Sequence, residues 1–196
     1  TFIMVATYSL FYIMTAFAQA YSRTPATLSE AGYPMGLGIP ANTFTGLLLM
    51  SAIVFAIFIS ISGLYADKIG RRKWLIWTTV SILIFALCMP LFLGNGTPTS
   101  VFAFLVIGMA LMGMTFGPMA ALLPELFPTE VRYSGASLAY NIASIIGATI
   151  AAMISLKINA LYGLMGVGIY LAINAFLTLL ALLASKETKN VDLTQI

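Results

Sequence analysis

Hydrophobic positions dominate this chain and fall into six long runs that contain no charged residue. A helix crosses the hydrocarbon core of a bilayer with roughly 20 apolar residues, and each run has about that length. Strands of a β-barrel would instead need segments of about ten residues that alternate apolar and polar positions, which these runs lack. The pattern therefore predicts an all-α integral membrane fold, with six transmembrane helices near residues 2–21, 43–65, 74–93, 101–123, 134–156 and 158–184.

Composition agrees with this prediction. The chain is 61% hydrophobic and 8% charged, with a mean hydropathy of +1.02, which lies outside the range of soluble domains. Although the net charge is +3, the basic residues sit at the ends of predicted helices, so nucleic acid is not an expected partner. One cysteine and no histidine make a disulfide framework or a cysteine metal site unexpected, and we predict neither cofactor nor metal.

The basic residues divide unevenly between the two sets of alternate connectors. One set has Arg23 and Lys157, and the other has Lys68, Arg71, Arg72, Lys73, Arg132, Lys186 and Lys189. By the positive-inside rule the second set is cytoplasmic, and both termini lie on that side. The small-residue pattern AFAQA at residues 16–20 is not interpreted as a signal peptide, because no basic segment precedes it. A start at Thr1, directly before a hydrophobic run, is instead expected of a chain cut from a longer protein.

Two runs carry polar side chains at helical spacing. Tyr8, Tyr12, Thr15 and Gln19 follow a four, three, four rhythm in the first run, and Ser134, Ser137, Asn141 and Ser144 follow a three, four, three rhythm in the fifth, with Tyr140 beside them. Each set therefore lies on one helix face. Such a stripe either lines a watery cavity or hydrogen-bonds between packed helices. We favour packing for the serines and the cavity for the larger tyrosines, Gln19 and Asn141.

The fourth run combines close glycines with a proline. Gly113 and Gly117 form a small-xxx-small pair, which allows neighbouring helices to approach closely. Pro118 removes a backbone hydrogen bond and can bend the helix. Both features occur in transporters and in static bundles.

Five charged residues are concentrated in GLYADKIGRRKW, residues 63–74, which we call the basic connector. Gly70 allows a tight turn between two helices, and the positive charges orient the chain. Topology alone does not require Asp67, since acidic residues contribute little to orientation. A nearby arginine or a helix N-terminus would explain it better.

The basic connector resembles the signature loop of the major facilitator superfamily of secondary transporters. PELFPTEVRYSGASLAYN at residues 124–141 is similar to a second motif, an acid and an arginine separated by six residues, here Glu125 and Arg132. KETKN at residues 186–190 is similar to the PETKG sequence of sugar-porter relatives, although only Glu187 and the Thr-Lys pair match. The order of the three resembles the carboxy-terminal half of the metabolite:proton symporter family.

This resemblance implies helices seven to twelve of a twelve-helix transporter, in which substrate binds between two six-helix halves. It implies a cytoplasmic gate network formed by Gly63, Asp67, Gly70, Arg71, Arg72, Glu125, Arg132 and Glu187. It places the first and fifth helices of the half at the central cavity, so the predicted cavity residues are Tyr8, Tyr12, Thr15, Gln19, Tyr140, Asn141 and Ser144. The implied partners are a small polar or organic-acid metabolite, protons, the bilayer of the bacterial inner membrane and the amino-terminal half. Neutralising Arg132 is expected to shift the protein toward its inward-facing state.

Two other functions remain open at this level. A standalone six-helix protein could oligomerise into a pore or a half-size transporter, and upstream sequence would separate that hypothesis from the first. An intramembrane enzyme is a remote third hypothesis, because Gly135–Ser137 is the nearest nucleophile context and the chain has no histidine.

Overall fold

The computed structural model describes residues 2–125, 127–145, 147 and 151–185. These residues form helices and loops, with one isolated antiparallel bridge between Leu28 and Pro34 in the loop after the first helix. The helices are α1 (Phe2–Arg23), α2 (Ala41–Ile69), α3 (Arg71–Leu87), α4 (Met89–Leu93), α5 (Pro98–Glu125), α6 (Arg132–Ile145) and α7 (Ala151–Ala184). The predicted all-helical class is confirmed for this part of the chain.

Within the described residues, four helices are long and apolar enough to cross a membrane. They are Phe2–Arg23, Ala41–Ile69, Pro98–Glu125 and Met153–Ala184. The 29 residues of α2 give a length of about 43 Å, whereas the 17 residues of α3 give about 25 Å. The chain is therefore an integral membrane protein.

Helix boundaries depart from the sequence prediction at two places. The third predicted helix is divided at Cys88 into α3 and α4, because Pro90 has no N–H and its ring crowds the carbonyl of Ala86. The boundary predicted at Lys157 falls inside α7, since a single lysine does not end a helix. Helical geometry is instead interrupted at Gly163, whose φ of 68° and ψ of −171° suit glycine. A Cβ built on Gly163 would lie 2.6 Å from Cδ1 of the Tyr33 ring, which is closer than packed side chains allow.

The core is built around α1. Leu10, Ile13, Met14 and Phe17 of this helix are completely buried, against apolar side chains of α3, α5 and α7. By contrast, α2 exposes many large side chains, among them Leu49, Ile53 and Leu64. A helix that exposes so many large apolar side chains is expected to lie against lipid or another protein segment.

The glycine pair of the fourth run lets α5 lie directly against α2. A Cβ on Gly113 would lie 2.7 Å from the carbonyl oxygen of Phe55, and one on Gly117 would lie 2.6 Å from that of Ile59. Ser62 adds a buried polar contact, with its Oγ 3.0 Å from the carbonyl oxygen of Gly113. The basic connector, which begins beside Ser62, is thereby held next to α5.

Candidate functional site

The basic connector makes a one-residue turn between α2 and α3. Gly70 adopts φ 111° and ψ 131°, which residues with a Cβ rarely adopt. Its N–H donates to the carbonyl of Ala66 at 2.9 Å, and its own carbonyl accepts from Trp74 N–H at 3.0 Å. This turn places Arg71 at the first position of α3, where it reaches the end of α5.

Arg71 is the centre of an ion-pair network. Its Nε and Nη2 each lie 3.2 Å from Oδ1 of Asp67, and its Nη1 donates to Oε1 of Glu125. The side chains of Arg71 and Glu125 are 20% and 14% exposed, whereas that of Asp67 is 63% exposed. The Arg71–Glu125 pair is consequently the better shielded of the two, and it connects the basic connector to the last turn of α5.

The hydrogen bond that Arg71 donates to Glu125 is the main cause of a raised pKa at Arg71, with a smaller contribution in the same direction from Asp67. The guanidinium therefore stays charged over the whole neutral range. Oε2 of Glu125 is buried and has no hydrogen-bond partner among the described residues. Burying a carboxylate oxygen without a hydrogen-bond partner costs free energy, and Oε2 of Glu125 can accept a hydrogen bond from one more donor.

Arg72 connects the same turn to the end of α7. Its Nε donates to the carbonyl of Leu182 and its Nη2 to that of Leu183, both at 2.8 Å. The last carbonyls of a helix have no partner within the helix, and a cation there also interacts favourably with the helix dipole. Arg72 thus fixes α7 to α3.

The other predicted gate residues are arranged differently. Arg132 contacts its own loop, with Nε 3.4 Å from the carbonyl of Phe127 and Nη2 3.3 Å from Oγ1 of Thr129. Gly63 lies on α2, where a Cβ on Gly117 would come within 3.0 Å of its nitrogen. Glu187 lies outside the described residues. The structure thus brings together Asp67, Arg71 and Glu125, and does not join Arg132 to them.

Tyrosines from α1 and α6 share a second location. Tyr8 and Tyr12 are four residues apart on α1, so they lie on the same helix face. Tyr8 and Tyr140 pack against the same apolar cluster, and Tyr8 also meets Phe116 edge-on at 6.4 Å between ring centroids. We call Tyr8, Tyr12 and Tyr140 the tyrosine cluster. It joins the two stripes that the sequence placed on separate helices.

The other two residues of the first stripe, Thr15 and Gln19, lie within and after a π-helical turn of α1. Ile13–Phe17 is π-helical, so the register of α1 shifts between Tyr12 and Gln19. Thr15 donates its hydroxyl to the carbonyl of Phe11 at 2.7 Å, which is a bond within its own helix. Gln19 is half-buried near the end of α1.

The second stripe runs along α6 to an open cavity. Asn141 donates its amide to the carbonyl of Ser137 at 2.8 Å and remains exposed, and Ser144 is half-buried. The cavity has a volume of about 590 Å³ and is lined by Pro124, Thr129, Arg132, Tyr133, Ala136, Ser137 and Tyr140. It therefore extends from the loop before α6 to the tyrosine cluster.

Several polar contacts were not singled out from the sequence. Asn174 donates to Oγ of Ser9 at 2.9 Å, and Thr178 donates to the carbonyl of Phe2 at 2.8 Å. Asn174 and Thr178 are four residues apart, so the spacing rule used for the first run could have found them. Trp74 donates its indole N–H to the carbonyl of Met114 at 2.9 Å, and no sequence signal indicated this contact.

Comparison of the sequence with known proteins identifies the family of this chain. Residues 35–196 match the family described as "Sugar (and other) transporter". The chain belongs to this family. The match confirms the resemblance to the major facilitator superfamily, whereas no solved structure gave a significant match.

Three relatives illustrate the similarity. The chain is 86% identical over its full length to a "Putative metabolite transport protein" of Haemophilus influenzae, of which it covers 45%. It is 52% identical over 98% of its length to the inner membrane metabolite transport protein YhjE of Escherichia coli, covering 42% of that protein. It is 32% identical over 74% of its length to a proline/betaine transporter of Salmonella typhimurium, covering 29%. The chain spans less than half the length of these family members, and all three carry the names of transport proteins rather than enzymes.

Proposed function

We propose that this chain is the carboxy-terminal six-helix half of a proton-coupled symporter that carries a small polar metabolite by alternating access. The observation that carries the proposal is the Arg71 network. In a chain of a transporter family, Arg71 at the start of α3 pairs with Asp67 near the end of α2 and with Glu125 at the end of α5.

The proposal assigns the helices to six spans. α3 and α4 together form the third span, interrupted at Pro90. α6 and the part of α7 before Gly163 belong to the fifth span, and the remainder of α7 forms the sixth. Both termini and the basic connector lie in the cytoplasm, as the positive-inside rule favours. The name of the Escherichia coli relative supports a location in the bacterial inner membrane.

The Arg71 network acts as a latch on the cytoplasmic gate. An exposed ion pair is worth roughly 0–1 kcal/mol, and a charged hydrogen bond with less exposure about 1.5–3 kcal/mol. A combined bias of this size favours one of two states without making the other inaccessible. In the proposal the latch is made when the cytoplasmic side is closed and broken when it opens. Arg132 and Glu187 remain proposed members of the latch in states that bring them closer.

The tyrosine cluster and Asn141 form this half's share of the substrate path. Phenol and amide groups can both donate and accept hydrogen bonds, which suits a solute with a carboxylate or a zwitterionic solute. The proline/betaine transporter among the relatives supports a zwitterion. The predicted spans contain no carboxylate, so we propose that the proton is carried by the amino-terminal half.

Uptake into proteoliposomes tests the function. The purified gene product is reconstituted, a pH gradient is imposed with the outside acidic, and entry of radiolabelled proline, glycine betaine and small organic acids is followed. We expect one of these solutes to accumulate above its external concentration, and a protonophore to abolish the accumulation. Accumulation that the protonophore leaves unchanged would contradict proton coupling, and rapid equilibration of all solutes would favour a pore.

A further inference from the structure

Pro118 leaves one carbonyl of α5 without its normal donor. In an α-helix the N–H of each residue donates to the carbonyl four residues earlier, and a proline has no N–H to donate. Pro118 is buried inside α5, so the carbonyl of Met114 lacks its partner within the helix. A half-buried carbonyl left in that condition would destabilise the helix.

Trp74 supplies the missing donor. Its indole Nε1 lies 2.9 Å from the carbonyl oxygen of Met114, which is good hydrogen-bond geometry. The indole ring is itself held by stacking on Tyr65, with 5.8 Å between ring centroids and 19° between planes. Both aromatic residues belong to the basic connector, so the Met114 carbonyl of α5 is satisfied by the same segment that carries Arg71.

The neighbouring carbonyl of α5 is also contacted from outside the helix. Oγ of Ser62 lies 3.0 Å from the carbonyl of Gly113 and 2.9 Å from that of Ile59, and it can donate to one of them at a time. Two successive carbonyls of α5 thus face polar groups of Ser62, which directly precedes the basic connector, and of Trp74, its last residue. Arg71 adds a further contact between the basic connector and α5, at Glu125, which is C-terminal to Pro118.

We propose that Trp74 is a positioning residue that replaces the backbone donor missing at Pro118 and thereby couples the basic connector to the Pro118 segment of α5. This inference deepens the proposed function and rests on it for its role in transport. Phe116, which contacts Tyr8 of the tyrosine cluster, lies between Met114 and Pro118. In this proposal, a movement of the connector that withdraws the indole leaves the Met114 carbonyl without a donor and loosens α5 next to the substrate path.

A double-mutant cycle in the complete gene product tests the hydrogen bond. Trp74→Phe keeps an aromatic ring for stacking and removes the N–H, and Pro118→Ala returns a backbone N–H to the Met114 carbonyl. Trp74→Phe is expected to lower the unfolding midpoint by about 2–4 °C. In the Pro118→Ala background the same change is expected to lower it by about 1 °C or less, since Met114 then has its own donor. Equal losses in the two backgrounds would overturn the inference.

Trp77→Phe is the matched control, because Trp77 is 78% exposed on the same helix. It is expected to leave the midpoint unchanged, and it leaves Trp74 as the only tryptophan of these 196 residues. With any tryptophan elsewhere in the gene product also replaced, the ultraviolet resonance Raman spectrum should show a hydrogen-bonded indole N–H. A spectrum typical of a free indole would also overturn the proposal, even if the Trp74→Phe variant did not fold.

Transport kinetics separate positioning from mere stabilisation. Trp74→Phe is expected to lower the maximal rate about five-fold, with KM changed less than about two-fold, because the variant alters movement rather than solute contacts. An unchanged maximal rate would refute the positioning role. If the loss of stability from Trp74→Phe were nevertheless smaller in the Pro118→Ala background, the hydrogen bond would be purely structural. Failure of the unmodified protein to transport would contradict the proposed function, while the cycle and the Raman spectrum would still report on the bond.

Discussion

Replacing Gly117 by alanine is expected to lower the free energy of unfolding by about 1–3 kcal/mol, the range found when extra atoms are forced into a packed core. The new Cβ would lie 2.6 Å from the carbonyl oxygen of Ile59 and 3.0 Å from the nitrogen of Gly63. These are backbone atoms of α2, so they cannot rotate away as a side chain could, and the two helices must separate. The change is measured by thermal or denaturant unfolding of the purified protein in detergent.

Gly63→Ala is the matched control on the facing helix. A Cβ built on Gly63 meets no atom within 4 Å, and alanine favours helix over glycine by about 1 kcal/mol. We therefore expect this variant to be as stable as the unmodified protein or slightly more stable. Loss of transport without loss of stability in Gly63→Ala would support the gate role that the motif implies for Gly63. Equal destabilisation by the two variants would contradict the packing described for α2 and α5.

Glu125→Gln is expected to lower the free energy of unfolding by about 1–3 kcal/mol and to open the cytoplasmic side of the protein. The substitution removes the better shielded of the two negative charges that contact Arg71, and the exposed Asp67 is then its charged partner in the network. Opening is measured with Ser137→Cys in a background without other cysteines, which includes Cys88→Ser, since Ser137 lines the open cavity before the tyrosine cluster. An impermeant thiol reagent added from the cytoplasmic side should label the introduced cysteine faster in the Glu125→Gln variant.

Three comparisons make that result specific. Glu130→Gln changes an exposed acid on the loop that follows α5 and should alter neither stability nor labelling. Asp67→Asn should cost no more than about 1 kcal/mol, because its side chain is 63% exposed. Arg71→Gln combined with Glu125→Gln should cost less than the sum of the single changes. Additive costs, or unchanged labelling in Glu125→Gln, would contradict the latch.

Arg71 does not make the proposed latch sensitive to pH in the neutral range. Its pKa is raised in the folded protein, mainly by the hydrogen bond with Glu125. A raised pKa gives a stabilisation that is complete below the ordinary pKa of arginine and is lost only as the pH rises through the higher folded value. Arg71 therefore contributes equally to stability throughout the neutral range.

The helical class and the position of the basic connector could be predicted because both depend on local sequence. Long uncharged runs indicate helices whatever the tertiary structure, and Gly70 between two such runs indicates a turn. The pairing of Arg71 with Glu125 came from the motif resemblance, since the two residues are 54 positions apart. The break at Gly163 could not be placed, because its positive φ is accompanied by a tertiary contact with Tyr33.

The candidate site was predictable as two stripes and not as one location. Helical spacing identifies which residues share a face, but it does not show that Tyr8 and Tyr140 of different helices pack against the same apolar cluster. The π-helical turn at Ile13–Phe17 also has no local signal, and it changes the face of Thr15 and Gln19 relative to Tyr8. Trp74 was missed for a related reason, since its partner is a backbone carbonyl freed by Pro118 on another helix.

Solute protection of a cysteine introduced by Asn141→Cys tests most directly whether the tyrosine cluster and α6 line a substrate path. The substitution is made in the same background without other cysteines, in the complete gene product, and Ile84→Cys on the exposed apolar side of α3 provides the control position. We predict that a small impermeant thiol reagent labels the Asn141→Cys variant and that the transported solute slows this labelling. The Ile84→Cys variant should react more slowly, at a rate that the solute does not change. Equal reactivity of the two variants, or labelling of Asn141→Cys that saturating solute leaves unchanged, would contradict the proposed path.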